Sequence, residues 1–173
     1  MRRFALVPGV LALLPEYAGL SDPVLDLRLA CLDAVRWLGS SGDGVVVVGD
    51  AQGSRVGEAL LSAGGGSTGA QAQSAFAARP PAVLVVGNGS ARRSEKAPGH
   101  LDERSFAFDD ALRAALVSGD ASWTDDGLGE ALLASVDGIH RLFGLLPAGT
   151  EAQVDYDDDP YGVQYWVMRW EVG

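Results

Sequence analysis

The stretch Ala82–Asp109, AVLVVGNGSARRSEKAPGHLDERSFAFD, decides how this chain is read. It opens on Val83-Leu84-Val85-Val86, a short continuous apolar run bounded by turn residues, which predicts a strand buried on both faces of a parallel sheet. The run breaks at Gly87-Asn88-Gly89, where two glycines let the backbone turn sharply and approach another segment or a ligand closely. A polar loop follows, carrying Ser90, Arg92, Arg93, Ser94, Glu95, Lys96, His100, Asp102, Glu103 and Arg104, and it enters a helix near Ser105. Open α/β sheets take ligands outside the carboxyl ends of their strands. The most chemically loaded loop of the chain is therefore expected at a strand end.

Working outward, the same pattern recurs. Phe4 to Val7 predicts strand one, and the valines of Val45 to Val48 predict strand two, with Gly49-Asp50 at its carboxyl end. Between them, Pro8 to Leu20 is a loop with an apolar middle, and Ser21-Asp22-Pro23 is a helix start, Asp22 capping and Pro23 suiting the first turn. That helix repeats Leu25, Leu29, Leu32 and Val35 at helical spacing and is expected to end before Gly39. A short helix is expected over Arg55 to Ala63, a flexible loop over Gly64 to Gly69 and another short helix over Gln71 to Arg79. Beyond the central loop, Phe108, Leu112, Ala115 and Leu116 share one helix face, closed by Gly119-Asp120. Two short helices follow, one from Asp125-Asp126 through Leu133 and one over Val136 to Leu145. Ala152 to Tyr156 and Val163 to Val172 predict a final strand pair, the second alternating Gln164, Trp166, Met168 and Trp170 with Tyr165, Val167 and Arg169. The order implies a single α/β domain over residues 1–173: a mainly parallel central sheet, flanked by helices and extended by a C-terminal strand pair.

Composition bounds the partners. Formal net charge is −10, from 23 acids against 13 bases, so the surface should repel nucleic acid and anionic membranes, and Arg92, Arg93 and Lys96 are too few to reverse this. No apolar run approaches the roughly 18 residues of a membrane span. The apolar N-terminal stretch is broken by Pro8, Gly9 and Pro15 and is read as strand and loop, not as a signal peptide. The expected address is the cytoplasm. The single cysteine, Cys31, falls inside a helical pattern and is expected to be buried and inert.

Gly-Asn-Gly-Ser-Ala-Arg-Arg at Gly87–Arg93, Ala-Pro-Gly-His-Leu-Asp-Glu-Arg at Ala97–Arg104 and the following Phe108-Asp109 resemble the subunit-B-like group of the class III extradiol ring-cleavage dioxygenases, in particular its short actinobacterial members. The N-terminal ALVPGVLALLPEYAG and the C-terminal Pro160-Tyr161-Gly162-Val163-Gln164-Tyr165 fit the same pattern, whereas Gly53 to Ala78 matches nothing in it. The resemblance implies a ferrous iron held by two histidines and one glutamate, an arrangement that leaves faces open for catechol and oxygen. It also implies an acid/base histidine and a tendency to dimerise.

This chain departs from that set. The loop Pro8 to Gly19 holds no histidine; Ala51 stands where the second iron ligand would be; Ala91 follows Ser90 where the acid/base histidine would be. His140, in Asp137-Gly138-Ile139-His140, takes the place of the glutamate. The expectation is a protein of this fold without iron or another cofactor, not a working dioxygenase, that binds a small anionic ligand or a protein partner at the strand-end loop. The candidate ligand-binding residues are Asp50, Asn88, Ser90, Arg92, Arg93 and His100. The alternative is an enzyme: a diverged oxidoreductase using Fe2+, or a hydrolase using Asp50, Ser90 and His100. A homodimer is the expected assembly if the aromatics near Tyr161–Trp166 are exposed.

Each candidate also has a purely structural role open to it. Arg92 and Arg93 can fasten the loop through Glu95, Asp102 and Glu103, and His100 can bond Asp102 or backbone. His140 reads as a helix residue partly in solvent, and Asp155-Tyr156-Asp157-Asp158-Asp159 as a solvated hairpin turn, since it lacks the glycine and distal glutamate of a calcium loop. Gly87-Asn88-Gly89-Ser90 lacks both the Gly-Lys-Ser/Thr ending of a phosphate loop and the third glycine of a dinucleotide fingerprint.

Overall fold

The computed structural model describes residues 1–17, 21–42, 44–65 and 82–173. Its five described strands form one sheet: β1 (Arg2–Val7), β2 (Val45–Val48), β3 (Ala82–Val86), β4 (Gln153–Asp158) and β5 (Tyr165–Val172), in the spatial order β2-β3-β1-β5-β4. The apolar runs decide the centre. β1 pairs parallel with β3 (Phe4↔Val83, Val7↔Val86), and β3 pairs parallel with β2 (Val46↔Val83). A strand hydrogen-bonded on both sides and covered on both faces has no solvated position for a polar side chain. All of Ala82–Val86 is accordingly buried. β5 returns antiparallel beside β1 (Phe4↔Trp170, Leu6↔Met168), and β4 pairs antiparallel on its outer side. The sheet is therefore mixed: a parallel core with an antiparallel C-terminal extension, as the strand pattern predicts.

Period-two alternation sorts the core into two layers. Ala5, Val7, Leu84, Val86, Tyr165 and Val167 face α1 (Leu25–Gly39) and α2 (Ala51–Ala63). Phe4, Leu6, Val83, Val85, Trp166, Met168 and Trp170 face α3 (Arg104–Ser118), the short α4 (Leu128–Ala131) and α5 (Asp137–Leu145). Each Leu or Val so buried contributes roughly 1.5–3 kcal/mol relative to exposure. The indole of Trp170 also donates to the Leu116 carbonyl at 3.3 Å. Cys31 lies wholly buried in the first layer, and burial pushes its thiol pKa up, which keeps it protonated and unreactive.

Three local expectations are corrected. α1 begins at Leu25, two residues after the expected Pro23; Asp22 accepts from Val24 N at 3.0 Å and from Arg28 Nε at 2.5 Å. Arg28 then donates to the carbonyls of Leu13 and Ala12, tying the apolar loop to the helix. α2 begins at Ala51, four residues before Arg55, capped by Asp50, whose Oδ1 accepts from Gly53 N at 2.7 Å. Gly53 and Gly57 do not break this helix but let it press against the sheet. A methyl group on Gly57 would lie 2.8 Å from Val47 Cγ1, and one on Gly53 3.0 Å from Val86 Cγ1.

The third correction concerns the acidic run, which is no solvated turn. It forms the edge strand β4 and its exit, and its alternate aspartates find arginines: Asp155 with Arg169, Asp157 with Arg113, Asp159 with Arg93. Charge on an edge strand also discourages pairing with another chain. Of the expected glycine loop, 66–69 lie outside the described residues, and so does the helix expected over Gln71 to Arg79. No helix among the described residues is long and apolar enough to cross a membrane.

Candidate functional site

Because β1, β2 and β3 run parallel, their carboxyl ends reach the same sheet edge and bring Gly9, Gly49-Asp50 and Gly87-Asn88 together there. The segment before α5 lies across them. Asn88 N donates to Ser135 O at 3.0 Å and Ser135 N to Asn88 O at 3.1 Å, while Ser135 Oγ donates to Asp50 Oδ2 at 3.1 Å. The α5 backbone follows closely: a methyl group on Gly138 would sit 2.4 Å from Val86 O and 3.1 Å from Val48 O. Gln52 Nε2 donates to Gly9 O at 2.7 Å on the neighbouring strand end, and Asn88 Nδ2 turns to Gly89 O at 3.0 Å. Two expected site residues, Asp50 and Asn88, are thus joined through Ser135, which sequence reasoning missed. A lone serine carries no signal of its own; only the glycine at Gly138, three positions on, marks a close backbone approach.

Ser90 and Arg93 meet at a second centre, around Asp109 of α3. The buried Ser90 donates to Asp109 twice, from Oγ to Oδ2 at 2.6 Å and from N to Oδ1 at 2.8 Å. Arg93 Nη1 adds a bond to Oδ2 at 3.1 Å, and Arg93 Nε donates to Asp159 Oδ2 at 2.7 Å. Its guanidinium also lies 4.7 Å from the Phe106 ring centroid. Burial raises the Asp109 pKa above the ordinary carboxylate value, and the bonds from Ser90 and Arg93 act in the opposite direction. Gly89 leaves room for this contact, since a methyl group there would fall 2.5 Å from Asp109 Oδ1.

The remaining loop residues behave differently. Arg104 holds Asp102 with two bonds, Nε to Oδ1 at 3.0 Å and Nη2 to Oδ2 at 2.7 Å, and this pairing lowers the Asp102 pKa to about 2. Arg92 receives bonds on its carbonyl from Asp102 N at 2.9 Å and Ser105 Oγ at 3.1 Å, but its side-chain Nε is buried with no hydrogen-bond partner. That side chain crosses Gly99: a methyl group on Gly99 would be 2.6 Å from Arg92 Cγ and 2.8 Å from Leu133 Cδ1. His100 is exposed, held at φ 58°, with Nδ1 3.3 Å from the Glu95 carbonyl oxygen. The fastening network expected around Glu95, Asp102 and Glu103 is corrected accordingly. Only Arg104 pairs within the loop, and Arg93 reaches out to α3 and to the exit of β4.

No hydrogen bond joins Asp50, Ser90 and His100 to one another; each has its own partner. His140 is exposed on α5 and stacks on Trp123 with ring centroids 5.5 Å apart. Among the described residues no group of three His, Cys, Asp or Glu side chains converges as metal ligands would, so the residues present do not fit a two-histidine, one-carboxylate iron centre. The site thus belongs to an α/β sheet protein whose strand-end polar groups are mostly tied to its own backbone and helices, with one arginine donor left over. No protein-family model matches the chain, and no curated protein matches it.

Proposed function

We propose that this chain is a binding protein on a class III extradiol dioxygenase subunit-B-like scaffold, without ring-cleavage chemistry, that takes a small anionic group at the loop following β3, with Arg92 as anchor. The observation that carries this is the buried, unpartnered Nε of Arg92. Buried donors are nearly always satisfied. Of the two orphans among the described residues, the Trp166 indole N–H lies in the apolar core, whereas Arg92 Nε lies in the polar strand-end loop, and we read it as a place for a partner. A carboxylate or phosphate is the partner that guanidinium geometry suits best. The order of motifs along the chain supports the scaffold, and alanine at positions 51 and 91 supports the loss of iron chemistry.

The test is calorimetric titration of the purified chain with acetate and with inorganic phosphate at constant ionic strength, beside the Arg92→Gln variant. Saturable uptake of either anion by the parent, weakened at least about tenfold in Arg92→Gln, is expected, corresponding to loss of one charge-assisted contact. Uptake of neither, or equal uptake by both proteins, sinks the proposal. Near-stoichiometric iron after anaerobic ferrous reconstitution, with catechol turnover, would replace it by the oxidoreductase reading.

A further inference from the structure

A groove of about 340 Å³ lies apart from the strand ends, between the outer face of α3 and the segment leading into α4. Its volume falls in the lower range of small-molecule sites. On α3 the spacing Arg104, Ala107, Phe108, Ala111 puts these residues on one face, and the two alanines leave the opening. The opposite wall is Trp123, whose ring is clamped from three sides: edge-on to Phe108 at 5.7 Å, stacked on His140 at 5.5 Å and tilted against Phe143 at 6.2 Å. A ring so held is a rigid aromatic surface, half-buried, with part of it lining the groove.

The charge at this groove is acidic. Asp125 and Asp126 line it; Asp125 accepts from Gly127 N and Gly129 N at 3.3 Å each, and Asp126 Oδ1 accepts from Thr124 Oγ1 at 2.7 Å. Arg104 is the one basic residue in the lining, and the ionised Asp102 neutralises it through two bonds. An electron-rich ring beside two carboxylates attracts an organic cation and disfavours an anion. The overall charge of −10 acts in the same direction. Apolar lining around the ring favours a cation that carries alkyl groups over a hydrated metal ion. We infer that the α3–Trp123 groove binds a small alkylated ammonium ion, its cationic head between the Trp123 ring and Asp126. This site does not depend on the anion reading of the β3 loop.

The probe is choline, titrated at constant ionic strength into the full chain and followed through the Trp123 indole N–H resonance. Its neutral carbon isostere, 3,3-dimethylbutan-1-ol, serves as control. Saturable shifts confined to the groove are expected, with the alcohol about tenfold weaker. Asp126→Asn removes the charge and keeps a residue that tolerates the left-handed backbone at φ 48°, so it should fold normally and weaken choline about fivefold. Ala111→Leu, at an exposed helix position, should fill the groove and abolish the shifts without changing any charge. Absence of saturation, equal binding of the alcohol, or choline binding unchanged in either variant would overturn the assignment.

Discussion

Arg92 and Arg93 are neighbours in sequence and opposites in environment. Arg93 bonds two carboxylates and lies over an aromatic ring, so its charge is spent on holding the β3 loop to α3 and to the exit of β4. Arg92 packs its stem across Gly99 and leaves Nε buried and unpartnered. The first arrangement is self-contained. The second leaves a buried donor without an acceptor. A run of basic residues in one loop is therefore not one feature, and its members separate by whether the fold itself supplies acceptors for their buried donors.

The contrast can be broken most forcefully at its satisfied end. Asp109→Ala leaves the Ser90 hydroxyl, the Ser90 amide and one face of Arg93 without their acceptor. Removing one partner of a buried pair costs about 3–5 kcal/mol, and that loss should appear as a lower urea midpoint. Gly89→Ala pushes a methyl group against Asp109 Oδ1 and Trp166, at 2.5 and 2.9 Å, and should cost roughly 1–3 kcal/mol in the same assay. At the unsatisfied end, Arg92→Met keeps an unbranched stem and removes the orphan donor. Its stability should change by less than about 1 kcal/mol in either direction, while the anion uptake proposed for this loop is lost. A midpoint shift as large as that of Asp109→Ala would show that Arg92 is structural after all.

The smallest effect is electrostatic and is read by carboxyl NMR. Asp102, held by Arg104, should titrate with a midpoint near 2, and Asp109 above the ordinary aspartate value because of its burial. The signs differ. The lowered pKa of Asp102 contributes stability that is full above the unfolded value, 3.8, and fades as pH falls toward about 2. The raised pKa of Asp109 gives a contribution that is full below that value and declines as pH rises through the folded pKa. Arg104→Gln should bring the Asp102 midpoint back toward 3.8 and leave that of Asp109 in place.

These same residues show how far the sequence could be read. The strands and their two faces were legible because apolar runs and period-two alternation are local signals: Val83–Val86 for the buried centre, Trp166, Met168 and Trp170 against Tyr165 and Val167 for the two layers. The start of α2 was not, because Gly53 and Gly57 signal flexibility locally and close packing only once Val47 and Val86 are in place. At the site, the loop itself was legible and its partners were not. Arg93 meets Asp109 and Asp159, 16 and 66 positions away, rather than the acids beside it. Nearness along the chain favoured Glu95, Asp102 and Glu103 over a residue beyond β4. The acidic run misled for a related reason: composition alone does not distinguish aspartates facing water from aspartates facing arginines on a strand, a helix or a loop brought beside them by the fold.

The backbone bridge between Asn88 and Ser135 has a consequence in time rather than in space. It joins positions 47 residues apart, and the Asp50–Ser135 bond beside it spans 85. Closing so long a loop costs chain entropy that is repaid only when both ends are in register. The strand ends can therefore be sealed only after β3, α3 and α4 have all been laid down. Partial unfolding is expected to begin where assembly ends. The amides of Asn88 and Ser135 should exchange with solvent before those of Leu84 and Val85, so the candidate site is expected to open before the centre of the sheet.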